Sequence, residues 1–163
     1  TLKFGKERAG KHKNGSGSNP SPVCSEEGVF VYYKSGDVAA VSHQGVVRWS
    51  RNIQKDHGPD TLWWDLGTSP VLVDGKLVVA VMQEGESYIV ALGTADGELA
   101  WKQPRQYQRP TESDHAYTTP QVVDIDGRPT LVVWGADHLT GHDVQTGELL
   151  WDVTGFNPTE QAN

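Results

Sequence analysis

The chain contains a single cysteine, Cys24, so no disulfide can close within it and a cysteine-based zinc site is excluded. No apolar run approaches the roughly 20 residues that a bilayer-spanning helix needs. There is no excess of basic residues. The 21 Asp and Glu against 14 Lys and Arg argue against non-specific nucleic-acid binding. Lys3, Lys6, Arg8, Lys11 and Lys13 crowd the N-terminus with Glu7 among them, and a solvated loop accounts for that cluster. Gly-x-Ser-x-Gly, P-loop and His-Glu-x-x-His signatures are all missing, which removes the commonest hydrolase, nucleotide and zinc-protease readings. No helical periodicity stands out either. No signal peptide is visible and the first residue is Thr1, not Met, so the 163 residues, enough for one domain, read as an excerpt of a longer chain in which a missing signal carries no weight.

What the chain does have is a repeat. The stretch ALGTADGELAW, which closes at Trp101, recurs in degenerate form before Trp49 and Trp151. Aligned on the Trp, a Gly stands four residues earlier at Gly45, Gly97 and Gly147, and a small residue stands ten earlier at Ala39, Ala91 and Gly141. The Trp positions are 52 and 50 residues apart. Self-similarity at that period signals a repeat architecture. Each Gly sits in a polar turn (HQG, ADG, QTG), where positive φ costs glycine nothing. Each copy therefore reads as a hairpin that ends on a large aromatic. A Trp at a constant place in every repeat is a packing anchor, with the small residue of the next repeat leaving room for it.

Pro22, Pro70 and Pro120 head the three copies, each opening an apolar strand. A second strand follows (VFVYY, LVVAVM, TLVVW), and the motif hairpin supplies the third and fourth. The run from Leu77 to Met82 is apolar on both faces, as in a sheet covered on both sides. The fold class is all-β: three consecutive four-stranded blades of a β-propeller, an incomplete ring, since propellers usually need about four to eight blades. Residues 1–18 form a loop from a preceding blade, 19–53 blade 1, 54–66 a connection, 67–103 blade 2, 104–116 a second connection, 117–154 blade 3, and 155–163 the start of a third connection. Such long connections are often functional.

The pattern Ala-x-Asp-x-x-x-Gly-x-x-x-Trp resembles the repeat of the pyrroloquinoline-quinone (PQQ) type, or quinoprotein-like, propeller family. Gly141, Asp143, Gly147 and Trp151 fit it apart from Gly for Ala. Ala91, Gly97 and Trp101 fit with Gly93 in place of Asp, and Ala39, Gly45 and Trp49 fit with Val41 there. The family includes a periplasmic outer-membrane assembly lipoprotein. The resemblance covers roughly residues 19–153 and implies an eight-bladed ring, each Trp stacked on the adjacent blade, in an extracytoplasmic location, periplasmic or extracellular. It does not imply the cofactor. Quinone dehydrogenases of this fold carry an adjacent Cys pair and a Glu, Asn and Asp set around calcium, whereas Cys24 here lies between Val23 and Ser25. No quinone-site residue carries over.

Propellers bind at one mouth of the ring, through the loops leading into each blade and those between second and third strands. The incoming loops hold Lys11, His12, Lys13 and Asn14, then Trp63, Trp64 and Asp65, then Asp114, His115 and Tyr117. The others hold Lys34 and Ser35, then Glu84, Gly85 and Glu86, then Gly135, Asp137 and His138. Trp63-Trp64-Asp65 is the sharpest stretch, since two adjacent loop Trp seldom both serve a core. One is expected to pack inward while its neighbour faces the channel or a partner. The plainer alternative is that both cap the blade. Asp114-His115 and Asp137-His138 invite a metal or acid–base reading. Adjacent residues of an extended strand point apart, so polar loop residues bonded to backbone are the simpler account. Asp124 to Arg128 resembles a calcium loop superficially and reads as a hairpin turn.

The sequence thus points to a non-catalytic binding or scaffold module that meets a protein partner or the remaining blades of the same propeller. No cofactor, nucleic acid or membrane span is evident. The alternative is a segment of a PQQ-dependent dehydrogenase whose quinone and calcium lie in other blades. A third reading, several copies closing one ring, predicts a discrete oligomer.

Overall fold

A computed structural model of the protein describes residues 2–4, 13, 19–109 and 114–156. Lys11, His12 and Asn14 of the first incoming loop, and residues 157–163 of the last connection, lie outside them. Twelve strands run in chain order: β1 (Val23–Ser25), β2 (Gly28–Tyr32), β3 (Asp37–Val41), β4 (Val47–Asn52), β5 (Val71–Val73), β6 (Lys76–Val81), β7 (Tyr88–Gly93), β8 (Leu99–Pro104), β9 (Gln121–Ile125), β10 (Arg128–Gly135), β11 (His138–Asp143) and β12 (Leu149–Thr154). They form three antiparallel sheets, each ordered as its four strands follow in sequence. The turns Asp74-Gly75 and Asp126-Gly127 place both residues at positive φ, as a two-residue hairpin of the right twist requires. Asp124 accepts a bond from the Gly127 N–H at 2.7 Å, so this stretch is the expected turn.

The apolar second strand of blade 2 is covered on both faces. Leu77 and Val79 pack with Phe30, Val38, Ala40 and Trp49 of blade 1. Val78 and Ala80 pack with Leu131, Val133 and Val144 of blade 3. Blade 2 is the middle layer of a sandwich, so its side chains alternate between two cores instead of between core and water.

Three sequence expectations are corrected. The fourth strands do not end on their Trp. Trp49, Trp101 and Trp151 are third in strands of six, because the chain stays hydrogen-bonded to the third strand for three further residues. One helix does form, α1 (Ile53–His57), directly after β4. Asn52 caps it by accepting from the Lys55 N–H at 3.0 Å, and Gly58, at φ 106°, ends it. Five residues carry no periodicity to read. Finally, Ala40 and not Ala39 opposes Trp49, while Ala91 opposes Trp101 and Gly141 opposes Trp151. The blade 1 hairpin is one residue shorter: Gly45 N–H bonds to Ser42 three residues back, whereas Gly97 and Gly147 bond to Gly93 and Asp143 four back.

Room for the Trp49 and Trp101 indoles comes from the turn glycine of the following blade, not from the small residue of the following repeat. A Cβ on Gly97 would lie 2.7 Å from the Trp49 ring, and one on Gly147 2.5 Å from Trp101. The indole N–H of Trp49 donates to the Thr94 carbonyl (2.8 Å), and that of Trp101 to the Val144 carbonyl (3.3 Å). Thr94 and Val144 occupy the same repeat position, so the two blade junctions use one lock. Trp151 instead lies across Gly141 of its own blade, in space that the methyl groups of Ala40 and Ala91 fill elsewhere.

Candidate functional site: the loop face

Antiparallel four-stranded blades put the 2–3 turns and the blade-to-blade connections at one end. Contacts between them are direct. The Gln54 side chain donates to the Lys34 carbonyl (2.7 Å), Thr61 Oγ1 to the Glu84 carbonyl (2.7 Å), and Thr118 Oγ1 to the Trp134 carbonyl (2.7 Å). Buried Gln83 ties this end together, donating to the Pro59 and Glu86 carbonyls and accepting from the Thr61 N–H.

Trp63 and Trp64 are both about half exposed, at 47% and 50%. The expectation of one inward and one outward indole is therefore corrected: the three-residue reach to buried Leu62 and Leu66 leaves both rings at the surface. Their backbone is clamped. Lys34 Nζ reaches the Trp64 carbonyl at 3.5 Å, and the Trp64 N–H donates to Tyr117 Oη at 3.3 Å. Asp65 is not a surface contact. It forms a buried ion pair with Lys34 at 2.5 Å, the side chains being 8% and 3% exposed.

Of the two Asp-His pairs, Asp137-His138 divides, while Asp114 and His115 stay within 3.7 Å of each other. Asp137, at φ 60°, turns inward and accepts from Arg109 at 3.2 Å. His138 turns to Asp152, its Nδ1 within 2.8 and 3.0 Å of the two carboxylate oxygens. Tyr107 stacks flat on the His138 ring at 3.5 Å and donates its hydroxyl to Asp152 at 3.1 Å. Burial raises the Tyr107 hydroxyl pKa. His115 is only 1% exposed, and neither ring nitrogen has a hydrogen-bond partner among the described residues. Its nearest charge is Asp114, 3.7 Å away, and Trp63 stands edge-on to it at 5.9 Å.

Sequence reasoning missed Arg105. The side chain is buried and meets no carboxylate among the described residues. Its guanidinium donates to Thr140 Oγ1 (2.8 Å) and to the Val133, Gly135 and His138 carbonyls (3.1, 3.2 and 2.7 Å), with Met82 Sδ at 3.3 Å. Burial pulls its pKa down to about 10. The position four beyond Trp101 was a usable signal, because Ile53, four beyond Trp49, is buried too. His142 is a second missed residue. It bridges the Gly147 carbonyl (3.0 Å) and Thr140 Oγ1 (2.9 Å), and burial lowers its pKa.

The chemistry available is limited. His138 and Asp152 make an oriented pair, but no serine, threonine or cysteine side chain bonds to His138 among the described residues. No three His, Cys, Asp or Glu side chains converge as a metal-ligand set among the described residues. Cys24 is exposed on β1. The alternative reading puts its calcium and quinone in other blades, and no step through either group follows from these residues. No helix among the described residues is long and apolar enough to cross a membrane.

The repeat positions Ala91, Gly97, Trp101, Gly141, Asp143, Gly147 and Trp151, with Gly45 and Trp49, all lie in the hairpins at the opposite end or on the blade faces. They build the scaffold that presents the loop face.

The family described as outer membrane protein assembly factor BamB matches residues 5–106 and 61–162. Among solved structures, BamB from Moraxella catarrhalis superposes with a TM-score of 0.55 at 18% identity, over 78% of this chain and 33% of that one. Quinohemoprotein alcohol dehydrogenase from Comamonas testosteroni gives 0.62 at 21% identity, over 88% and 22%. A europium-containing methanol dehydrogenase gives 0.61 at 18% identity, over 85% and 25%. The chain thus spans a third or less of the length of these relatives. No curated protein matches the chain in sequence.

Proposed function

This chain belongs to the family of the outer membrane protein assembly factor BamB, and from that premise we propose that it is a non-catalytic binding or scaffold module of an extracytoplasmic β-propeller protein, acting through its loop face. One observation carries the reading: two adjacent tryptophans, each about half exposed, on a loop whose backbone is held by Lys34 and Tyr117. Exposed aromatics on a rigid base are the usual anchors of protein interfaces, because little conformational entropy is lost when they are covered. The buried Lys34–Asp65 pair helps to hold that base. The partner is a protein, or further blades of the same ring.

The test is co-purification from the native envelope fraction, comparing wild type with W63A/W64A, alongside thermal unfolding of both. The expected result is a protein that is retained by the wild type and lost from a variant that still folds. Retention of every associated protein by the variant overturns the reading.

The fold likeness to quinohemoprotein dehydrogenases supports the second reading, a dehydrogenase segment. Titration of the protein with PQQ and calcium, read by quinone absorbance, tests it. Saturable binding with alcohol-dependent dye reduction would establish an enzyme in place of the scaffold.

A further inference from the structure

We propose that the junction between blades 2 and 3 is an acid-sensitive joint, in which protonation of His142 sets a second cation on the Thr140 hydroxyl that the Arg105 guanidinium already holds, and so loosens blade 3 from blade 2. The two junctions of the chain are built differently. Between blades 1 and 2 the third strand presents Val90 and Leu92, and Ile53 arrives from the chain beyond β4, all buried and apolar. At the same repeat positions the next junction has Thr140, His142 and Arg105, which are also buried. His142 Nδ1 lies 3.0 Å from the Gly147 carbonyl, which only accepts, so this nitrogen carries the hydrogen of the neutral ring. Nε2 is then an acceptor, 2.9 Å from Thr140 Oγ1. The Thr140 hydroxyl accepts from the Arg105 Nε–H at 2.8 Å and has one hydrogen to give, to His142 or to the Val133 carbonyl at 3.2 Å. Gly147 is the turn glycine that makes room for the Trp101 ring. His142 therefore braces both the Trp101 lock and the Arg105 network.

Protonation needs no new geometry. The hydroxyl turns to Val133, His142 Nε2–H donates to Thr140 Oγ1, and each of these groups keeps a partner. What changes is charge. Imidazolium and guanidinium then share one oxygen, their nitrogens no farther apart than the two bonds laid end to end, in a place shut off from water. The carboxylates around His142 are engaged or exposed. Asp152 on β12 is shared between His138 and the Tyr107 hydroxyl. Asp143, next in the chain, holds Arg128 of β10. From blade 2, Asp74 and Lys76 both bond to Gln145 at the hairpin turn, and Gln103 donates to the Thr146 carbonyl. Glu148 is exposed at that turn. Burial, first, and the Arg105 charge hold the His142 ring below an ordinary 6.5, although the Gly147 carbonyl and Asp152 pull the other way. The unfolded chain thus takes up this proton before the fold does. Stability is lost as pH falls below about 6.5, until the folded ring is itself charged.

The experiment reads amide hydrogen exchange of the whole chain at about pH 7.5 and about pH 5, corrected for the intrinsic rate at each pH. Exchange at Gly135 to Thr140, the turn that Arg105 holds, and at Gly147 is expected to become several-fold faster in acid, relative to β2 and β3 of blade 1. His142→Leu copies what blade 2 has at this place and should remove that acid gain. H142Q, uncharged but able to hydrogen-bond, should do the same, and serves if the leucine variant fails to fold. H57Q is the control at the other junction, where burial also lowers the histidine pKa and the ring stands edge-on to Tyr88. It should leave the gain at Gly135 to Thr140 unchanged. NMR titration of the His142 ring in the wild type needs no variant, and a midpoint below about 6.5 is expected. A midpoint at or above that value overturns the joint. So does an acid gain that is absent from the wild type, persists in H142L or H142Q, vanishes in H57Q, or is shared equally by blade 1.

Discussion

The ring of Trp49 occupies the space that a side chain on Gly97 would need: a Cβ there would come within 2.7 Å of the indole. Blade 1 is thereby keyed to blade 2 through one aromatic and one missing side chain. The same relation joins Trp101 to Gly147. Blade junctions that repeat in geometry share their energetics, as expected of an architecture whose units meet nearest neighbours.

Replacing Gly97 by Ala is expected to destabilise the protein more than replacing Gly45. Both glycines have positive φ, 73° and 81°, and share that backbone cost. Gly45 has no atom within 4 Å of its would-be Cβ, so G45A carries no overpacking. G97A should lose about 1–3 kcal/mol more. Urea unfolding of the two variants measures the difference, and equal losses would refute the keyed junction.

Asp65→Asn should cost about 3 kcal/mol or more, because it leaves the buried Lys34 ammonium without its carboxylate. The double replacement K34M/D65L should recover most of that loss, since removing both charges removes the desolvation cost with them. A double-mutant cycle in denaturant decides it. A loss in D65N below about 1 kcal/mol would be that of an exposed pair.

Arg105→Met should release the β10–β11 turn. Four oxygen acceptors lose their donor at once, and at least about 3 kcal/mol is expected. Arg105→Lys should rescue little, because one ammonium cannot reach acceptors spread around a planar fork. Amide hydrogen exchange at Gly135 to Thr140 is the readout. Faster exchange there, before global unfolding changes, supports the assignment.

Stability should fall as pH drops from about 4 towards 2, in part through Asp143. The Arg128 side chain, first, and the Thr146 and Gln145 N–H groups hold its carboxylate down to about 2, from an ordinary 3.8. A depressed pKa in the folded state stabilises above the unfolded value, and that gain is lost as pH falls through the folded one. Asp143→Asn should flatten the slope in this window and leave the slope above pH 5 unchanged. Denaturant midpoints at half-unit pH steps test it.

The three Trp, the three turn glycines and the apolar second strands specify the repeat, the four-stranded unit and the two-faced middle blade. These features are periodic, and periodicity survives in one dimension. The neighbour of each side chain is not periodic. Trp63 and Trp64 announced themselves as an adjacent pair, yet their shared exposure depended on how Leu62 and Leu66 turn the loop between them. Asp65 and Asp137 read as rim groups from sequence. Lys34 and Arg109, 31 and 28 residues away, drew them inward. A one-residue deletion in a turn hid the equivalence of Ala40 with Ala91, because a Trp-anchored alignment counts residues whereas a sheet counts hydrogen bonds. The sequence by itself determined what repeats: a blade that cannot bury both faces alone, marked by the residues that key it to the next. Only the tertiary structure decided which polar groups are consumed between blades and which remain on the loop face, because that depends on long-range pairing across connections that carry no repeat.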